Sequence, residues 1–315
     1  MVLPASTPIF VLGNRTFDWG DVRAAAGIWG DRQRVERRVR EGLASLRFLE
    51  ADDNELAPEA VEAAADDYRL EHNLIAADDM SAWLEARGLE VEEWQAFIER
   101  GLARRICAAD LDEIVAGYPV ADREILAVDE CEAICSGMIA ETVRKLAAAA
   151  AVAALHDRRE ADIAELRQVF DELCSAALTQ ATLERMFVAR ALDWTAVHCR
   201  LASFADEDSA REAMFCVRDE GLDLADAARA GRALEERRTF LLEDLVPEMQ
   251  MQLLSAEKGT LLGPIAFRDR PTLVIVLEKS RPTLDDPALR DRAERAVLDA
   301  AIERAARGAR FLLAL

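Results

Sequence analysis

LVPEMQMQLLSAEKGTLLGPI, residues 245–265, carries a helix, a turn and a strand entry in twenty-one residues. Residues 245–254 follow a helical pattern, Gly259 marks a turn, and a strand begins near Pro264 and runs to Phe267. TLVIVL, residues 272–277, is a strongly β-forming run directly after it. Upstream, the pattern changes at Trp194. Residues 195–204 (TAVHCRLASF) have strand character, and residues 209–219 place Ala210, Ala213, Met214 and Val217 on one helical face. Gly221-Leu222-Asp223-Leu224 leads into another short helix, and an Arg/Glu-rich stretch precedes Leu245. The order β-α-α-β-β across residues 194–282 is an α+β unit.

On either side of this unit the chain reads as helix. Residues 8–17 (PIFVLGNRTF) give a short strand, a Gly13-Asn14 turn and a return that enters a helix near Asp18. Helical segments follow at residues 32–48, from Pro58 to about residue 73, at 80–87 with Asp78 as N-cap, and at 92–108. One long helix is expected over 121–155, followed by helices at 160–177 and 178–190. A last amphipathic helix at 287–307 precedes RFLLAL, residues 310–315, a terminal strand that could pair with residues 8–12 or with another chain. The expected domains are a mostly helical one at 1–192, the α+β unit at 193–284, and a returning helix and strand at 285–315. The fold class is therefore α+β, with the smaller unit inserted into or following a helical domain.

The chain of 315 residues carries 39 Lys+Arg against 60 Asp+Glu, a formal charge of −21. Recognition of a phosphate backbone needs clustered cations, so nucleic acid is excluded as a partner and a basic or amphipathic one is expected. The first 13 residues lack a basic region and an apolar run fit for a signal peptide. The weakly apolar run at 146–155 is too short to span a bilayer. Six cysteines at no framework spacing fit reduced thiols, and a cytoplasmic location is expected. There is no phosphate loop, nucleophile elbow, His-Glu-x-x-His or EF-hand pattern, so no cofactor and no metal are implied.

Val197-His198-Cys199-Arg200-Leu201, Gly221-Leu222-Asp223-Leu224-Ala225, Leu245-Val246-Pro247-Glu248-Met249 and the LLSAEKGTLLGPI that follows stand in the order of the parvulin, or PpiC-type rotamase, domain. Over residues 194–282 the chain resembles that family, and the flanking helical segments resemble the chaperone part of SurA- and PrsA-type foldases. The lack of a signal peptide favours intracellular relatives similar to peptide-maturation proteins found beside natural-product precursors. The resemblance implies a protein that binds an extended or unfolded peptide, such as a precursor, and a site that twists an X-Pro amide against its resonance barrier. His198 matches the first family histidine as the catalytic residue. Leu245 and Met249 fall where the proline pocket has Met and Phe, and Thr272 falls where the second histidine would stand. Aromaticity is lost and the histidine pair is broken, so the isomerase domain is degenerate. An active peptidyl-prolyl isomerase, or an enzyme reusing the cleft on a peptide, is the alternative.

Other residues read as follows. His198 is either the remaining member of that site or a strand histidine bonded to a neighbour. Cys199 points to the opposite face of its strand, which argues against a dyad with His198. Cys131 and Cys135 share a helical face and are read as core. Trp94 and Phe97 are read as helix-helix core, whereas Trp83 is the groove candidate for peptide side chains. The acid pairs Asp52-Asp53 and Asp66-Asp67 are read as solvated faces able to steer a basic peptide.

Overall fold

The computed structural model describes residues 3–51, 54–268 and 270–313. Asp52-Asp53 and the last two residues of the expected terminal strand lie outside them. The chain divides into two compact units, Met1–Ala176 with Asp299–Leu315, and Ala177–Leu298. The architecture is α+β, mostly helical with two small antiparallel sheets.

In the first unit, strands β1 (Pro8–Leu12) and β2 (Arg15–Asp18) form a hairpin across Gly13-Asn14. Gly13 has φ +58°, a conformation glycine adopts without a Cβ penalty. Phe10 and Phe17 stack with ring centroids 4.6 Å apart. Asp18 ends the hairpin and caps α1 (Trp19–Trp29), accepting from the Asp21 N–H while Asp21 accepts from the Asp18 N–H. Such a cap stabilises a helix by about 1 kcal/mol. The terminal strand β7 (Arg310–Phe311) pairs with the other edge of β1, giving the order β2-β1-β7.

The helices of this unit are α2 (Asp31–Ala51), α3 (Pro58–Glu71), α4 (Ala77–Arg87), α5 (Val91–Ile106), α6 (Leu111–Gly117), α7 (Asp122–Leu126), α8 (Asp129–Cys135), α9 (Met138–Leu155) and most of α10 (Ile163–Ala177). The single long helix expected over 121–155 is thus three helices. Gly137, at φ +72°, separates the last two, because a left-handed residue cannot continue an α-helix. The N-cap of α4 is Ala76, which leaves Asp78 inside the first turn. The alanine run of α9 is core: Ala147, Ala148 and Ala149 are fully buried, and their small side chains let α1, α2 and β1 pack closely against α9.

The second unit opens with α11 (Gln180–Ala189) and β3 (Ala196–Ser203). Then come α12 (Glu207–Asp219), α13 (Leu224–Ala230), β4 (Glu235–Leu241), a 3-10 turn at Leu242–Asp244, α14 (Pro247–Ser255), β5 (Leu261–Phe267) and β6 (Arg270–Ser280). The sheet order is β4-β3-β6-β5, antiparallel throughout. β4 is the Arg/Glu-rich stretch to which the sequence pattern assigned no element. It is an edge strand, its charges satisfied sideways as when Arg200 of β3 hydrogen-bonds Glu235. This unit extends past 193–284 at both ends, because Leu183, Phe187 and Trp194 pack with Leu289, Ala293 and Val297 of α15 (Pro287–Ala306). The final turns of α15 belong to the first unit, where Ile302 and Ala306 join its core.

Candidate functional site

β3 alternates strictly against β4, and this alternation settles which groups share a surface. Val197, Cys199 and Leu201 face α14 and are buried with Met249, Leu253, Val274 and Val276. The opposite face carries Ala202 under α12 and α13. Arg200 is on that second face. It hydrogen-bonds Asp223, the N-cap of α13, with Nη2 2.6 Å from Oδ1. Those bonds, with the Ala225 N–H, hold the Asp223 carboxyl at about 2.

His198 lies between Val197 and Cys199, so it too faces away from α14. Its Nδ1 is 2.8 Å from Thr239 Oγ1 and its Nε2 3.2 Å from Ser280 Oγ, so both ring nitrogens are engaged by hydroxyls. Met249 is buried beneath α14 and Leu245 half-buried beside it. The structure therefore brings Leu245 and Met249 together but not His198. Thr272 is fully buried, shares a 2.8 Å hydrogen bond with Ser203 and donates to the Arg270 carbonyl. It lies opposite Ser203, whereas His198 lies opposite Glu278. Five positions of β3 separate the two sites, about 17 Å at the rise of a β-strand.

Two residues that the sequence pattern did not single out complete the α14 face. Phe240, from the edge strand β4, and Phe267, at the end of β5, meet edge to face with centroids 5.5 Å apart, both half-buried against Met249's cluster. The guanidinium carbons of Arg238 and Arg268 stand 5.7 Å and 5.4 Å from the Phe267 ring centre. Both rings come from strands, whereas Leu245 and Met249 come from the α14 region of the chain. Phe240 pairs with Val197 and so shares its face, but the sequence pattern assigned no strand there and carried no signal for it. The thiol on this face, Cys199, is pushed up to about 11 by burial and stays protonated at neutral pH.

In the first unit, Trp83 is half-buried, edge-on to Tyr68 with centroids 6.1 Å apart, and Arg87 covers its ring at 4.2 Å. An open groove of this unit lies elsewhere. It has a volume of about 1040 Å³ and is lined by α2, α3, α4 and α5, with Leu49, Met80, Leu84 and Trp94 as its buried floor. Trp94 thus serves as core and as groove floor together. α2 and α5, which carry two of its walls, are held by a buried ion cluster. Glu132 of α8 receives Arg38 of α2 at 2.5 Å and Arg100 of α5 at 3.3 Å. Gly42 makes the close approach of α2 to α5 possible, because a Cβ there would lie 2.9 Å from Arg100 Cβ. Cys131 and Cys135 are buried core residues with sulfurs 3.8 Å apart, and Cys131 donates to the Glu93 carbonyl. Among the described residues, no group of three or more His, Cys, Asp or Glu could hold a metal ion, and no helix is long and apolar enough to cross a membrane.

No family model matches the chain, and no curated protein matches it. Among solved structures it is similar to the foldase protein PrsA from Streptococcus pneumoniae str. Canada MDR_19A. The identity there is 11%, covering 94% of this chain and 87% of that one, with a TM-score of 0.31. It is also similar to PrsA from Bacillus subtilis at 12% identity, covering 96% and 91%, with a TM-score of 0.25. Likenesses this distant carry no weight of their own, and the α+β architecture rests on the elements and strand order above.

Proposed function

We propose that the protein is a foldase-like peptide holder whose four-stranded sheet binds apolar, proline-containing segments on its α14 face without isomerising them. The observation that supports this best is the division of β3. On its α14 face Val197, a protonated Cys199 and Leu201 are buried with Met249 and Leu253 as an apolar support, while the imidazole of His198 is on the other side, already bonded to Thr239 and Ser280. Lowering the X-Pro barrier requires polar groups beside the twisting amide. Binding an apolar segment requires partly exposed rings and aliphatic side chains, which Phe240, Phe267 and Leu245 provide over a buried Met249. Arg238 and Arg268 add cationic donors for peptide carbonyls at the rim.

The test combines fluorescence anisotropy on labelled proline-containing peptides with protease-coupled isomerisation of the same peptides. A natural-product precursor peptide belongs in that panel, as the cytoplasmic partner the resemblance implies. Binding is expected in the wild type and in His198→Ala, with at least a tenfold loss in Phe267→Ala, and with isomerisation at the background rate throughout. Acceleration by the wild type that His198→Ala abolishes would replace this function with catalysis.

A further inference from the structure

The groove of the first unit has a chemistry distinct from that of the sheet. Its α3 wall is lined by Pro58, Val61, Glu62, Ala65, Asp66 and Arg69, positions that recur at i, i+3, i+4, i+7, i+8 and i+11 along one helical face. Its α4 wall repeats the spacing with Ala77, Met80, Ser81 and Leu84, and its α5 wall with Val91, Trp94, Gln95 and Glu99. Helix faces with this spacing and a continuous apolar floor are what another helix packs against in a bundle.

The border of the groove decides what that helix is. Acids follow apolar wall residues directly in sequence, as in Leu49-Glu50, Val61-Glu62 and Ala65-Asp66, and Glu55 and Glu99 extend the same rim. Among the described residues Arg69 is the one basic lining residue, and it is occupied, donating to the carbonyls of Leu74 and Ile75 and lying 3.5 Å from Asp66. Among the described residues the carboxylates of Glu50, Glu55, Glu62 and Glu99 have no basic partner. An apolar floor with an uncompensated anionic border complements an apolar stripe flanked by cations. A second copy of this chain, at −21, fits that border poorly.

We infer that the groove is a docking site for a cationic amphipathic helix, separate from the site proposed for the sheet. Eleven residues separate Pro58 from Arg69 along the α3 wall, about 17 Å at the helical rise, so the occupant is about three turns long. Its Leu- or Ile-type stripe seats over Trp94 and Met80, and its Lys or Arg residues meet Glu50, Glu62 and Asp66.

The test uses a capped, fluorescein-labelled peptide of 14 residues, about four turns, with Leu at helical spacing and Lys on both flanks. Two controls accompany it, a scrambled peptide of the same composition and a version with Glu in place of Lys. Titrations are run on the full chain, on Glu62→Lys/Asp66→Lys, and on Asp208→Lys/Glu212→Lys, which makes the same charge change on α12. The cationic helix is expected to bind the wild type and the α12 variant alike, to lose at least tenfold in affinity with the α3 variant, and to weaken with added salt. The scrambled and acidic peptides are expected to bind at least tenfold more weakly. Phe267→Ala leaves this binding unchanged, which keeps it distinguishable from binding on the sheet. Equal losses in both charge-reversal variants, or equal binding of the scrambled peptide, would reduce the effect to bulk attraction and overturn the assignment. Absence of binding overturns it as well, and concentration-dependent dimerisation abolished by the α3 variant would give the groove to a second copy.

Discussion

Replacing Glu132 tests the frame that holds the groove. Its side chain is 2% exposed and that of Arg100 4%, whereas the Arg38 side chain is 28% exposed and can turn to water. In Glu132→Gln, Arg100 stays in the interior with its charge unmatched, and the new amide N–H₂ can meet guanidinium donors. Two unit charges at the Arg100–Glu132 separation of 3.3 Å attract by about 5 kcal/mol at an effective dielectric constant of 20. Desolvation of both ions offsets part of this in the intact protein, but breaking one partner leaves the other uncompensated, which costs about 3–5 kcal/mol. With a urea dependence of about 2 kcal/mol/M, the midpoint for the helical unit falls by about 2 M. The assay is urea unfolding followed by far-UV circular dichroism, with the transition of the second unit as internal reference. Glu132→Leu/Arg100→Leu removes both buried ions and is expected to recover most of the loss, because the interior then holds no orphaned charge. A loss below about 1 kcal/mol in Glu132→Gln, or a double variant less stable than the single one, would refute this account of how α2, α5 and α8 are joined.

Three further outcomes follow from individual contacts. Gly42→Val places a side chain 2.9 Å from Arg100 Cβ and is expected to lower stability by about 1–3 kcal/mol; an unchanged thermal midpoint would remove the close approach of α2 and α5. The Asp223 carboxyl, held at about 2 by Arg200 and the Ala225 N–H against an ordinary 3.8, contributes stability that is complete above the ordinary value and lost as pH falls through about 2. Acid unfolding of the second unit should therefore shift to higher pH in Asp223→Asn, and a carboxyl NMR titration of Asp223 near 3.8 in the wild type would contradict the pairing. Cys199, at about 11 and buried, should resist thiol reagents at pH 8 in the native state while half-buried Cys216 reacts, as read by mass spectrometry of the labelled peptides.

Elements with local signals are legible in the amino-acid order alone. Residues 8–18 declare a hairpin through Gly13 and a helix start near Asp18, and the alternating stretch at 197–201 and the apolar run at 272–277 declare the two central strands. These patterns survive because each element's burial repeats at its own period. β4 escaped because an edge strand exposes charged side chains, so its residues lack the apolar alternation by which strands are recognised. The helix break at Gly137 escaped because one left-handed residue inside an apolar run leaves the hydrophobic period nearly intact. For the site, the motif order at 245–249 placed Leu245 and Met249 beside one another, and the alternation of β3 placed Cys199 opposite His198.

Which face of the sheet α14 covers is set by long-range packing. A strand pattern tells which residues share a side, but which side receives a given helix depends on packing between segments far apart in sequence. That choice separates His198 from Met249, brings Phe240 and Phe267 together from two different strands, and makes Trp94 both core and groove floor. The charged rim likewise exists only once α2, α3 and α5 stand together, since acids scattered between residues 50 and 99 form one border through folding alone.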